Sequence, residues 1–200
     1  MPRSNRPTRG VETTLSPPRE RARATKVKGL VLTRVRGVLQ QRLAKVRMLA
    51  MDVDGVLTDA GMYYTESGDE LKKFNTRDGM GIKLLQAAGI VTAFITGEKT
   101  ALVERRGKKL AVPEVHQGID EKLVALTQVA RKYGLTLKQV AYIGDDVNDL
   151  DALRAVGFSA APADAMPIVI QAVQYVCAKK GGEGAVRELA DLILAAREKA

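Results

Sequence analysis

Met48-Leu49-Ala50-Met51-Asp52-Val53-Asp54-Gly55-Val56-Leu57-Thr58 places two carboxylates one residue apart, directly after a short apolar run and directly before a glycine. An apolar run of this length bounded by a turn signal reads as a buried strand, expected over 46–52, with both aspartates leaving its carboxyl end. Two carboxylates held this close repel one another and raise each other's pKa unless a cation lies between them, so the pair implies a hard divalent metal. In an open parallel sheet the carboxyl ends of the strands are also where ligands bind. Taken alone, the stretch fits equally well a strand-to-loop turn with two solvated acids and a glycine that eases the turn.

Partners further along the chain decide between these readings. Val91-Thr92-Ala93-Phe94-Ile95-Thr96-Gly97 is a second apolar, β-branched run, and it places the Thr96 hydroxyl at a strand tip, where a hydroxyl with free backbone N–H groups suits a phosphate oxygen. Val140-Ala141-Tyr142-Ile143-Gly144 is a third, and it runs into Asp145, Asp146 and Asp149. Between them, Gly118-Ile119-Asp120-Glu121-Lys122 reads as a helix start carrying a lysine. Each piece has an ordinary explanation: Thr96 as a helix cap, Lys122 as a solvated lysine, Asp145 and Asp146 as acids favoured by a helix dipole. Four such pieces in order, three of them at strand ends, argue for one site.

The ordered set Asp-x-Asp-Gly-x-x-Thr, Thr-Gly, Lys, Gly-Asp-Asp-x-x-Asp resembles the four motifs of the haloacid-dehalogenase superfamily of phosphohydrolases, over about residues 46–195. Within it the chain is similar to the capless phosphatases of 2-keto-3-deoxy sugar acids, which act on 3-deoxy-manno-octulosonate 8-phosphate or nine-carbon relatives. The narrower likeness rests on Asp52 to Asp59, on Phe-Asn-Thr-Arg-Asp-Gly-Met-Gly over 74–81, on Val140 to Asp149, and on Gly-Gly-Glu-Gly-Ala-Val-Arg-Glu over 181–188.

The resemblance implies roles. Asp52 is the expected nucleophile, taking the phosphoryl group as an aspartyl phosphate. Asp54 is the expected acid for the leaving oxygen and then base for the hydrolytic water. Asp145 is expected to bind metal with Asp52 and the carbonyl of Asp54, with Asp146 or Asp149 completing or supporting the site. Magnesium is the expected ion, given oxygen ligands, a phosphate to share and no His or Cys cluster. Thr96 and Lys122 are expected to hold phosphate oxygens. For the sugar acid, Glu98 stands where the octulosonate enzymes usually carry arginine, and Glu98 with Lys109 resembles the nine-carbon branch, here 2-keto-3-deoxy-nononate 9-phosphate. The same two residues fit an exposed helix pair. Arg106 and Arg187 are the expected partners of the substrate carboxylate, or else solvated helix arginines.

Spacing limits the architecture. Asp54 to Thr96 leaves room for a hairpin near 61–74 and one helix, and Thr96 to Lys122 for a helix and a strand, so no cap domain fits. A lone hairpin is barely stable in water, so 61–74 is expected to pack on another subunit, or else to be a flap on its own monomer. The resemblance implies a homotetramer.

Of the chain's net charge of +9, residues 1–48 hold thirteen Lys or Arg against Glu12 and Glu20, so the remainder is near −2. The basic character belongs to an extension over 1–45. Nucleic-acid binding by the body is not expected. Residues 1–28 are expected to be disordered, and the apolar spacing from Leu30 to Val46 predicts an amphipathic helix over 30–46. No apolar stretch reaches membrane-spanning length, no secretory leader is read, and Cys177 is a lone buried residue, which favours a cytoplasmic home. His116, the single histidine, reads as packing or loop.

The expected order is strand 46–52, hairpin 61–74, helix 78–88, strand 90–96, helix 99–110, strand 113–116, helix 119–133, strand 139–144, helix 148–156, strands 158–161 and 174–177, and helix 184–198. That alternation predicts an α/β, Rossmann-like doubly wound parallel sheet in three layers. Two other functions compete with a Mg²⁺-dependent phosphatase: a noncatalytic oligomerisation or regulatory module of a sugar-acid activating pathway, and a basic-arm nucleic-acid or membrane binder.

Overall fold

β1 (Met48–Met51) is buried along its whole length, as befits a strand covered on both faces. It pairs in parallel with β4 (Val91–Ile95) on one side and β6 (Val140–Ile143) on the other. Its last residue, Met51, is level with Phe94 and Ile143, which brings the loops after all three strands to one edge. β5 (Glu114–His116) extends the sheet beyond β4, and β7 (Phe158–Ala161) and β8 (Tyr175–Val176) extend it beyond β6, giving the order β5-β4-β1-β6-β7-β8, all parallel. The chain leaves β1 toward β4 and later returns on the far side as β6, so β1 lies at the topological switch point where ligands bind in such sheets.

The computed structural model describes residues 37–198, with Leu39 onward forming one compact unit. The disorder expected for 1–28 and the first part of the helix expected over 30–46 lie outside the described residues; 37–44 are helical (α1). Alternate strand residues feed two cores. Leu49, Met51, Phe94, Ala141 and Ile143 meet Leu43 of α1, Ile82 and Leu85 of α2 (Thr76–Ala87), Val103 of α3 (Ala101–Leu110) and Leu189 of α7 (Ala185–Arg197). Met48, Ala50, Ala93, Val140 and Tyr142 meet Leu126 of α4 (Lys122–Lys132), Leu153 of α5 (Leu150–Ala155) and Val169 of α6 (Pro167–Ala172). The expected three layers and doubly wound parallel sheet are therefore present.

Between β1 and β4 the described chain forms only the hairpin β2 (Tyr63–Tyr64) with β3 (Glu70–Leu71), and α2; between β4 and α4 it forms only α3 and β5. No cap domain is inserted among the described residues. The hairpin is shorter than the 61–74 span, and its Met62, Tyr64 and Leu71 are exposed.

Two expectations are corrected, and one helix is added to them. The helix placed over 119–133 begins only at Lys122, because Gly118 takes a positive φ of 68° and Ile119 N–H donates to the Thr96 carbonyl, holding 118–121 as a loop. The helix placed over 148–156 starts as a 3₁₀ turn over Val147–Asp149, capped by the Asp146 carboxylate, before α5. The helix α6 was not expected; Pro167 at its first position is the signal that the sequence held for it.

Candidate active site

Asp52 leaves β1 with its backbone N–H donating to the Ile143 carbonyl at 3.1 Å, so the strand ladder itself aims the carboxylate. The residue is only 5 % exposed. Lys122, almost fully buried, lies 2.9 Å from Asp52 Oδ2 and 2.7 Å from Asp149 Oδ1. Burial pushes the Asp52 carboxyl up to about 6, helped by Asp149 and opposed by Lys122. Burial alone would lower the Lys122 pKa; Asp52 and Asp149 outweigh it, so the ammonium stays charged.

Asp145, after β6, has its carboxyl pushed up to about 8 by burial and then by Asp52 and Asp149. It lies against Gly55, where an added Cβ would stand 1.9 Å from Asp145 Oδ2, so the turn after Asp54 must be a glycine for the two carboxylate loops to meet. Asp149 is saturated by donors. Lys122 and the Tyr142 hydroxyl (2.7 Å) donate to Oδ1, and the backbone N–H groups of Asp145 (3.0 Å) and Asp146 (3.4 Å) donate to Oδ2. Asp146 is exposed, and its carboxylate accepts from Val147 N–H at 2.6 Å.

These loops surround a pocket of about 260 Å³ lined by Asp52, Asp54, Ala60, Thr96, Gly97, Glu98, Asp145, Asp146 and Asn148. Thr96 is buried at the tip of β4. Glu98 is exposed on the pocket rim. The other expected substrate contacts are elsewhere. Arg106 donates to the Asn75 carbonyl at 2.8 Å and stacks over Phe74, 5.3 Å from the ring centre. Arg187 is held by Asp191 one helical turn on, at 2.8 Å and 3.0 Å. Lys109 is exposed on α3 and forms no ion pair with Glu98 among the described residues. Arg106, Lys109 and Arg187 are thus not among the residues that line the pocket, and local partners hold Arg106 and Arg187. His116 lies 2.9 Å from Glu114 in β5, and the buried Cys177 follows β8, both as packing residues.

A family model for haloacid dehalogenase-like hydrolases matches residues 112–189. The chain is 45 % identical over 159 residues to the 3-deoxy-D-manno-octulosonate 8-phosphate phosphatase of Yersinia pestis, covering 80 % of this chain and 85 % of that one. It is 44 % identical over 154 residues to the enzyme of that name from Escherichia coli K12, covering 77 % and 82 %. The chain belongs to the haloacid dehalogenase-like hydrolases, in the branch of the 3-deoxy-D-manno-octulosonate 8-phosphate phosphatases. It is a phosphomonoester hydrolase. Among solved structures it is similar, at a TM-score of 0.79 and 40 % identity, to the Moraxella catarrhalis phosphatase of that name in complex with a magnesium ion, a phosphate ion and a 3-deoxy-octulosonate molecule, covering 80 % of this chain and 92 % of that one.

The donor set fits a divalent cation of the kind this family's chemistry calls for. Asp52, Asp145 and Asp149 each offer an oxygen within 4.8 Å of the others. Asp52 Oδ1 and Asp145 Oδ1 are buried without a hydrogen-bond partner, which costs free energy unless something fills the space between them.

Other residues around the site take their part in it only through the fold. Tyr142 is legible in the sequence only as strand, yet its hydroxyl fixes Asp149. Lys72 Nζ lies 2.6 Å from Asp54 Oδ1. Gly181 and Gly182 pack on the loop after Asp54: Cβ atoms there would meet Gly55 O at 1.9 Å and the Thr58 carbonyl carbon at 2.7 Å, and Gly182 N–H donates to the Val56 carbonyl at 3.0 Å. The glycine-rich run was legible as a motif, but only the fold brings it, more than a hundred residues on, to the back of the catalytic loop.

Proposed function

We propose that the protein hydrolyses the terminal phosphate of a 2-keto-3-deoxy sugar acid with Mg²⁺, through a phosphoryl group carried on Asp52. The observation that carries this reading is the buried Asp52 carboxylate, held by Lys122 at one face of a pocket that Asp54 and Asp145 share. A carboxylate oxygen of Asp52 attacks phosphorus as the bond to the sugar oxygen breaks, and Asp54 gives that oxygen its proton. Water then attacks phosphorus, Asp54 takes its proton, the bond to Asp52 breaks and inorganic phosphate leaves.

Mg²⁺ would be held by Asp52, Asp145 and the Asp54 carbonyl, and it supplies neutralisation of the charge that builds on the transferring phosphoryl group. Asp149, saturated by its own donors, orients Lys122 and the loop of Asp145; Asp146 caps the following turn. Thr96 and Lys122 hold phosphate oxygens, Lys122 adding positive charge where the transition state needs it. The noncatalytic and basic-arm readings draw no support from a site in which Asp52, Asp54, Lys122 and Asp145 are all present and gathered.

The names of the relatives favour 3-deoxy-manno-octulosonate 8-phosphate as substrate. One observation favours a second reading, the nine-carbon 2-keto-3-deoxy-nononate 9-phosphate: Glu98 lines the pocket rim, where a carboxylate accepts hydrogen bonds from sugar hydroxyls and repels a substrate carboxylate. Phosphate release from the two esters side by side, with Mg²⁺, decides between them. A preference of about tenfold in kcat/KM, or ~1.4 kcal/mol, for the eight-carbon ester supports the first, and the reverse preference supports a specificity role for Glu98.

We also propose a homotetramer assembled through the hairpin, supported by the exposed Met62 just before β2 and the exposed Tyr63, Tyr64 and Leu71 on strands of two residues each, too short to stand alone.

A further inference from the structure

Lys72 lies outside every motif read from the sequence, yet its side chain is 1 % exposed, which is rare for a lysine unless it is paired. It follows directly on β3 and reaches back to the strand-β1 loop, placing Nζ 2.6 Å from Asp54 Oδ1 and 3.6 Å from Glu70 Oε1. The Thr58 hydroxyl donates to the same Asp54 oxygen at 3.4 Å. Asp54 Oδ1 is thereby occupied twice. Oδ2 is buried, has no partner, and belongs to a residue that lines the pocket.

We propose that Lys72 is the positioning residue of the acid and base step, resting on the assignment of that step to Asp54. By holding Oδ1 it fixes the rotation of the carboxyl group, so that Oδ2 is the oxygen presented to the leaving group and later to the hydrolytic water. A carboxyl free to rotate would divide its time between productive and idle orientations, and placement errors of this kind reduce rates steeply. The alternative is a buried ion pair that merely fastens the hairpin to the body.

Esters with different leaving groups separate the two. Departure of a sugar alkoxide needs a proton from Asp54, whereas p-nitrophenolate leaves without one. Wild-type protein with Mg²⁺ is measured on 3-deoxy-manno-octulosonate 8-phosphate and on p-nitrophenyl phosphate, followed by Lys72→Met, Asp54→Asn and the double variant. A positioning role predicts that Lys72→Met lowers kcat/KM about 10²-fold on the sugar ester and less than about tenfold on the aryl ester. It also predicts that the double variant is no slower than Asp54→Asn, because both changes remove the same contribution. Equal losses on the two esters, or additive losses in the double variant, overturn the proposal. If Lys72→Met does not fold, Lys72→Ala, which likewise removes the donor to Asp54 Oδ1, takes its place with the same required bias. Failure of wild-type protein to hydrolyse either ester would instead contradict the assignment of the site itself.

Discussion

Asp145 carries the plainest consequence at the scale of single residues. Its carboxyl is pushed from the ordinary value of 3.8 to about 8, first by burial and then by Asp52 and Asp149. A carboxyl whose folded-state pKa is raised binds its proton more tightly in the native than in the unfolded chain, so stability falls as pH rises from about 4 to about 8. Asp52, raised to about 6, adds to the loss over the lower part of that window. In chelator, Asp145→Asn is therefore expected to melt above the parent at pH 8, by a margin that shrinks toward pH 5, and to lose the stabilisation that Mg²⁺ gives the parent. Thermal unfolding at a series of pH values checks this; a margin that does not change with pH would contradict it.

The residues that the sequence made legible are those whose chemistry is local. Asp52, Asp54, Thr96 and Asp145 follow strand ends and Lys122 begins a helix, and their type and spacing show it. Arg106 and Arg187 are the opposite case, because what they touch depends on what folding sets against them: Asn75 and Phe74 take one guanidinium and Asp191 the other. Lys72 and Tyr142 stayed hidden for the same reason, since each serves a carboxylate that folding, and no sequence pattern, brings within reach.

Among elements, the glycine-rich run before α7 does the least expected work. Gly181 lies against backbone atoms of the Asp54 loop, which cannot swing aside as a side chain can. Gly181→Ala, whose Cβ would stand 1.9 Å from Gly55 O, must displace that loop. The expected cost is about 1–3 kcal/mol in stability, together with a fall in kcat of about 10²-fold if the Asp54 carboxylate shifts by about 1 Å. Melting curves and turnover on the same preparation test it, and an unchanged kcat would show that the segment only packs. Strands were the easiest elements to place, because a strand buried on both faces is a continuous apolar run. Helix starts were harder: at Lys122 a positive-φ glycine and one loop hydrogen bond moved the boundary by three residues from the expected 119.

At the scale of the whole molecule, residues 39–198 contain the sheet, both cores and the pocket, and of the basic extension the described end, α1, contributes Leu43 to one core. A chain beginning at residue 37, which keeps α1, is therefore expected to match the turnover of the full chain within about twofold and, on the proposed assembly, to sediment as a tetramer. Leu71→Asp in that chain, a charge on an exposed apolar hairpin strand, is expected to give a smaller species by sedimentation equilibrium. A monomer before any substitution would return the hairpin to the role of a flap on its own subunit.

If Asp52 carries the phosphoryl group, the group can be caught there. In Asp54→Asn the base for the second step is missing, so the phosphorylated enzyme should accumulate during turnover of a sugar-acid phosphate with Mg²⁺. Rapid acid quench followed by peptide mass analysis should find one phosphoryl group on the peptide containing Asp52, and none when Asp52→Asn is added. A phosphoryl group on another peptide, or phosphate release that survives Asp52→Asn, would contradict the account.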